Sequence, residues 1–61
     1  MNRPLQDVDN DVLAACLCMG DLADHVNNHG TGNEQVLINL ERAAEGFRLL
    51  MIERRAVAAA G

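Results

Sequence analysis

Apolar residues recur along this chain at alternating steps of three and four positions, first from Leu5 to Val26 and then mainly from Val36 to Val57. This spacing keeps side chains on one stripe of an α-helix. Opposed positions of the two stripes have residue numbers that add up to 62, and the seven pairs are Val26 with Val36, Leu22 with Leu40, Met19 with Ala43, Ala15 with Phe47, Val12 with Leu50, Val8 with Arg54, and Leu5 with Val57. The pattern predicts an all-α fold, an antiparallel two-helix hairpin whose stripes meet in a seam.

The predicted hairpin forms a single domain over residues 1–61, with helix 1 over about residues 5–28, a turn over about 29–32 and helix 2 over about 33–58. Phe47 is the only aromatic residue, and its position on the stripe places it in the core. Truncating a buried aromatic residue to alanine costs roughly 3–5 kcal/mol, which is the destabilisation expected for Phe47→Ala.

Helix-terminating and helix-initiating residues surround the predicted turn. Gly30 suits a C-cap, because glycine adopts positive φ without steric cost. Thr31 and Glu34 have the spacing of a capping box, in which each side chain accepts a hydrogen bond from the other residue's backbone N–H. Pro4 suits the first helical position, where the missing N–H has no partner to lose. These residues predict a short loop and a helix that starts near the N-terminus.

A second set of apolar residues lies away from the seam. A monomeric hairpin would leave them in water, and monomers seldom expose large contiguous apolar patches. We therefore expect them to form an interaction surface, with a second copy of the chain pairing into a four-helix bundle. Gly20 and Gly46 lie in predicted helix interiors, where they either permit close helix approach or have no packing role. The predicted interaction surface comprises Leu13, Leu17, Ile38, Leu49 and Ile52.

Charge is divided unevenly between the two halves of the chain. The formal net charge of −4 resides in residues 1–31, whereas the four arginines and four glutamates of residues 32–61 cancel. The hairpin register brings Arg54 and Arg55 beside Asp7 and Asp11, which predicts cross-helix ion pairs at that end. Exposed pairs of this kind contribute only ~0.2–1 kcal/mol each, so their main role is to fix the register.

A hairpin that dimerises into a four-helix bundle resembles, in architecture alone, the plasmid RNA-binding bundle Rop. Binding to a phosphate backbone requires clustered Lys and Arg residues and often stacking aromatics. This chain has a net charge of −4, contains no Trp or Tyr, and its five basic residues are all arginines. The composition therefore does not favour nucleic acid as a partner, although a Rop-like function stays open.

Neither a membrane nor an oxidising compartment is indicated. No apolar run approaches the roughly 18–20 residues of a spanning helix, and no secretory signal is expected at the N-terminus. Cys16 and Cys18 are two positions apart on a helix, so they cannot form a disulfide with each other. Cys16 is expected near the seam as a small core residue and Cys18 nearer the edge. Two free cysteines suit the cytoplasm.

His25 and His29 are the residues that come closest to a chemical motif. Their spacing of four would allow two imidazoles to share a metal ion, with Asp21 one turn further back. The alternative is that histidines in the last turn complement the negative end of the helix. Because two ligands fall short of the usual three or four, no metal and no cofactor is predicted. Nothing orders a nucleophile, base and carboxylate, so the chain is not expected to be an enzyme.

The sequence therefore predicts a small non-enzymatic protein–protein interaction module that acts as a regulator, adaptor or inhibitor through a helical face. Its expected partners are a second copy of itself and another protein. The alternatives are a purely structural homodimeric bundle, a Rop-like nucleic-acid-binding bundle and a histidine-based metal-binding protein.

Overall fold

A computed structural model describes residues 3–60 of the protein. Helix α1 spans Leu5–His29 and helix α2 spans Glu34–Ala60, and the two pack against each other as an antiparallel hairpin. No strand occurs within residues 3–60. The hairpin is elongated, with extents of 44 × 14 × 13 Å. The predicted all-α hairpin is confirmed, and α2 continues through the alanine-rich tail to Ala60.

The seam between the helices follows the predicted stripes. Of its fourteen positions, Val8 and Val57 are buried, eleven are half-buried and only Leu5 is exposed. Both buried valines lie in the half of the hairpin that is remote from the turn. Phe47 is only half-buried, because a single neighbouring helix packs against the seam of α2. The seam is therefore correctly predicted, but its centre is not a closed core.

Gly30 ends α1 as predicted. Its φ of 77° is the only positive φ among residues 3–60, and its N–H donates to the carbonyl oxygen of Val26 at 2.8 Å. A side chain with a Cβ atom is strained at this φ, so glycine is the residue that lets the chain leave the helix here.

The predicted capping box at the start of α2 is wrong. Asn33 is the N-cap, since its Oδ1 accepts hydrogen bonds from the backbone N–H groups of Gln35 at 3.1 Å and Val36 at 3.3 Å. A helix that started after Thr31 would place Gly32 in its first turn, where glycine costs about 1 kcal/mol relative to alanine. Asparagine caps as well as threonine, and it stands directly before the first helical residue.

Pro4 precedes the helix, whereas the sequence predicts it as the first helical residue. The helix begins at Leu5, and Pro4 adopts the extended conformation of an N-cap, with φ −54° and ψ 144°. Its carbonyl oxygen accepts hydrogen bonds from the N–H groups of Asp7 at 3.0 Å and Val8 at 3.3 Å. Pro4 therefore contributes an acceptor to the first turn instead of a helical residue.

Cross-helix ion pairs form at the end remote from the turn, but with other partners than predicted. Arg54 donates from Nε to Oδ1 of Asp9 at 2.6 Å. The predicted acceptors were Asp7 and Asp11. By the helical projection, Asp9 lies beside the seam on the opposite side of α1 from Asp7 and Asp11, and Arg54 turns to that side. In addition, Arg54 belongs to the seam, and its side chain runs along it before reaching the carboxylate.

Candidate interaction surface

The five residues predicted to form an interaction surface all lie exposed on the hairpin. The exposed fractions are 59% for Leu13, 63% for Leu17, 37% for Ile38, 53% for Leu49 and 47% for Ile52. Burying a leucine or isoleucine side chain is worth about 1.5–3 kcal/mol, so a binding partner that covered several of them would gain substantially.

These five residues do not form one continuous face. Projected at about 100° per residue, Ile38, Leu49 and Ile52 lie roughly 130–170° from the seam, on the side of α2 that faces away from α1. We call these three residues the outer stripe. Leu17 occupies the corresponding far side of α1, and Leu13 lies nearer one edge of the hairpin. One flat partner surface therefore cannot cover all five, a constraint that only the pairing of the helices reveals.

A further apolar region runs along the edge that Leu13 borders. In an antiparallel pair, the residues beside the two seam stripes flank each other along common edges. On this edge α2 has an apolar residue at every seventh position, and α1 contributes mainly small residues. We call this set the apolar edge: Leu13, Cys16, Gly20, Ala23, Leu37, Ala44 and Met51. Leu37 and Met51 are half-buried, whereas Cys16, Ala23 and Ala44 are exposed.

The opposite edge is polar and carries a three-residue ion cluster. Arg3 donates from Nη2 to Oε1 of Glu53 at 2.7 Å and from Nε to Oε2 at 3.1 Å, and its Nη1 also pairs with Asp11. The hydrogen bonds from Arg3 lower the pKa of Glu53, while partial desolvation opposes that shift. The same contacts raise the pKa of the Arg3 guanidinium. We call this arrangement the Arg3 cluster; it ties the N-terminal segment and α1 to α2.

The cysteines lie on different edges, and one of them differs from expectation. Cys16 was expected near the seam as a core residue, but it is exposed, as is Cys18. The reason is that α2 covers only the seam itself, so a residue one step beside the stripe stays accessible. By the helical projection, Cys16 belongs to the apolar edge and Cys18 to the polar one.

The helix-interior glycines have no steric role within the hairpin. A Cβ atom placed on Gly20 or on Gly46 would meet no atom within 4 Å. Close approach of α1 and α2 therefore does not require glycine at either position. Gly20 lowers the stability of α1 relative to alanine, and no packing contact within the hairpin requires it. It lies on the apolar edge.

His25 and His29 are adjacent on the last turns of α1. Their ring centroids are 4.7 Å apart, with planes inclined at 44°. His25 is half-buried and His29 exposed. Over residues 3–60, no group of three His, Cys, Asp or Glu residues converges as a metal site. Asp21 therefore does not complete a three-ligand set with the histidines.

Residues 3–60 enclose no pocket. Neither helix in this part of the chain has the length and apolar character that crossing a bilayer requires. The surface features that stand out are thus the apolar edge, the outer stripe and the histidine pair.

Comparison of the chain with protein-family models, curated proteins and solved structures found no match.

Sequence reasoning finds part of this surface and misses the rest. The signal for the apolar edge is that Leu37, Ala44 and Met51 recur at a spacing of seven and widen one side of the seam stripe of helix 2, but their position beside the small residues of α1 follows only from the pairing of the helices. The Arg3 cluster carries none that we recognise. Arg3 precedes the helix, and its two carboxylate partners are eight and fifty positions away.

Proposed function

We propose that this protein is a small non-enzymatic interaction module that acts as a regulator, adaptor or inhibitor by presenting apolar helical surface to other polypeptides. The observation that supports the proposal is an imbalance in burial. Only Val8 and Val57 are buried among residues 3–60, while five leucines and isoleucines away from the seam are 37–63% exposed. A hairpin that buries so little of its own apolar surface would gain stabilisation from a partner that covers the rest.

The total surface supports the same proposal. The accessible surface is 4470 Å². A compact monomer of 6.6 kDa is expected to expose about 3,900 Å² by the usual scaling with mass. The excess of about 600 Å² reflects two helices that cover each other on one side only. Binding of a further polypeptide would bury part of this surface and bring the accessible area per chain towards the value expected from its mass.

We assign the apolar edge to a second copy of the chain, with two hairpins forming an antiparallel four-helix bundle. A two-fold axis lets one edge serve both subunits. The apolar edge lies about half-way along the long axis of the hairpin. Across a two-fold axis at that level, the apolar edge of one copy would therefore face the apolar edge of the other. The polar edge with the Arg3 cluster is less suited, because pairing it would desolvate three charged groups, whereas the Arg54–Asp9 pair that borders the apolar edge lies beyond the apolar residues of that edge, at the end remote from the turn. In the bundle, Phe47 and the other half-buried seam residues would be covered from their open side.

We assign the outer stripe to a different protein. Ile38, Leu49 and Ile52 extend over about 21 Å of α2, which matches an amphipathic helix of about four turns with an aliphatic stripe. Between Ile38 and Leu49 the same side of α2 carries Glu45, and at this polar rim its charge is compensated by the ion pair with Arg48 at 3.0 Å. A partner helix with few charges beside its apolar stripe fits this rim better than a strongly charged ligand.

Cysteine cross-linking tests the self-association directly, because the two thiols lie on opposite edges. Near a two-fold axis through the apolar edge, Cys16 of each copy approaches its counterpart. Mild oxidation or a short bismaleimide should link the Cys18→Ser variant into covalent dimers and leave the Cys16→Ser variant without a covalent link, as seen by denaturing electrophoresis. Preferential linkage through Cys18 would place the dimer contact on the polar edge and overturn this assignment.

Light scattering, which measures the mass of the particle in solution, is the second test of self-association. The wild-type chain should have twice the 6.6 kDa mass of one copy. Ala44→Glu introduces a charge on the apolar edge and should yield a helical monomer, whereas Ala14→Glu, the matched control on the other side of α1, should stay dimeric. Wild-type protein that is monomeric at all concentrations would rule out the bundle.

The outer stripe is tested with Leu49→Glu combined with Ile52→Glu; Asp24→Ala serves as the control. If the stripe binds another protein, the double variant keeps the dimer mass and its helical circular dichroism. Loss of the dimer in this variant, with Ala44→Glu still dimeric, would instead make the outer stripe the self-association surface. The chain would then be a purely structural dimer with no free apolar face on α2.

We place this activity in a reducing compartment, the cytoplasm. The support is that Cys16 and Cys18 are both free and exposed. Exposed thiols persist unpaired where glutathione and thioredoxin keep cysteines reduced. Resistance of the thiols to alkylation in freshly lysed cells would contradict this placement.

A further inference from the structure

The histidine pair at the end of α1 has a geometry that a position near the negative end of the helix does not require. A positive charge near the C-terminal carbonyls interacts favourably with the helix dipole from any rotamer. Here the two rings lie side by side, with centroids 4.7 Å apart. That separation can be compared with the separation that a shared metal ion would impose.

A metal ion bound about 2.0–2.1 Å from an imidazole nitrogen lies about 3.2 Å from the centre of that ring. Two rings that bind one ion at an angle of about 90–110° then have centroids about 4.5–5.2 Å apart. The spacing observed between His25 and His29 falls inside this range. Both residues belong to α1, so the helix itself holds the rings in register.

We propose that His25 and His29 form a two-histidine chelate for a divalent transition metal ion of the imidazole-preferring group, with Cu²⁺ and Ni²⁺ as the best binders and Zn²⁺ weaker. Neutral imidazole nitrogens suit these ions, and affinity follows the order in which Cu²⁺ binds most tightly. Water completes the coordination sphere, since no third His, Cys, Asp or Glu of residues 3–60 joins the pair. His29 is exposed, which leaves room for those water ligands.

Binding at this site would stabilise the hairpin at the turn. The ion can bridge the two rings only while the last turns of α1 are helical, so it binds the folded chain in preference to the unfolded one. The two valines that are buried lie at the opposite end. A metal ion bound by the two histidines would therefore stabilise the end of the hairpin that has no fully buried apolar side chain.

The test is thermal unfolding of the full chain with NiCl₂ or CuCl₂ in excess, in a Cys16→Ser, Cys18→Ser background that removes competing thiols. We expect Tm to rise by about 5 °C at neutral pH. Titration calorimetry should give one ion per chain. Excess EDTA should abolish the rise, because it removes the ion from the folded chain.

His25→Ala and His29→Ala should each abolish the rise. A matched control keeps both histidines but changes their spacing: Asn27→His with His29→Asn places the rings two positions apart, on different sides of the helix. Loss of the metal-induced rise in this variant supports the chelate. A rise that persists in any of the three variants, or a stoichiometry of one ion per two chains, would overturn it.

Discussion

Val8 on α1 and Val57 on α2 are the two buried side chains of residues 3–60, and both lie in the half of the hairpin that is farthest from the turn. The Arg3 cluster and the Arg54–Asp9 ion pair are at the same end. This end is therefore the best-packed part of the isolated hairpin. The seam towards the turn is half-exposed, and it is the part that a second subunit would complete.

Val8→Ala should destabilise the protein by about 2 kcal/mol, because two methyl groups are removed from an enclosed site and leave a cavity. Urea unfolding followed by circular dichroism measures this change. Leu17→Ala removes a larger apolar group from an exposed site of the same helix, and it should change stability by less than about 0.5 kcal/mol. Equal effects of the two substitutions would show that Val8 is not the packing centre.

Phe47→Ala distinguishes the isolated hairpin from the bundle. The sequence alone predicts a loss of roughly 3–5 kcal/mol, as for a fully buried aromatic residue. In the hairpin Phe47 is half-buried, so a monomer should lose only about half as much. In a dimer that covers the open side, the full loss should appear and should depend on protein concentration. Unfolding curves at two concentrations separate these outcomes, and a loss below about 1 kcal/mol at both would mean that Phe47 is free to act as a binding anchor.

Asn33→Ala should destabilise α2 by about 1 kcal/mol, since it removes the acceptor for two backbone N–H groups. Thr31→Ala is the matched control. A capping box centred on Thr31 would make it the more harmful substitution, whereas the observed N-cap makes it nearly neutral. Thermal unfolding of the two variants decides between them.

Acid should weaken the Arg3 cluster. Hydrogen bonds from Arg3 lower the pKa of Glu53 below its ordinary value of 4.5, so between the two values the unfolded chain binds more protons than the folded one. The stabilisation is then fully present above pH 4.5 and is lost as the pH falls through the lower, folded pKa. Tm measured from pH 7 to pH 2 should therefore fall at the acid end.

Glu53→Gln and Arg3→Gln should both flatten that acid dependence, since each removes one side of the same interaction. Arg48 likewise lowers the pKa of Glu45, so some acid dependence should remain in both variants. A slope unchanged from wild type in Glu53→Gln would show that the cluster does not contribute to stability in solution.

The sequence by itself determined the hairpin, its seam and the glycine that ends α1. These features follow from local rules, because a period of 3.5 residues defines a stripe and two stripes of opposite direction define the register. Thr31 and Asn33 show the limit of such rules. Both are good N-caps on propensity, and only the path of the chain into α2 selects Asn33.

The tertiary structure decided what lies beside the seam. Leu13 and Leu49 are equally off-stripe in the sequence and similarly exposed, yet antiparallel pairing places them on opposite sides of the hairpin, Leu13 towards the apolar edge and Leu49 away from it. Cys16 is exposed for the same reason, since one neighbouring helix covers a stripe and not a face. The Arg3 cluster joins residues fifty positions apart, and no periodicity along the chain encodes a contact that exists only once the helices meet.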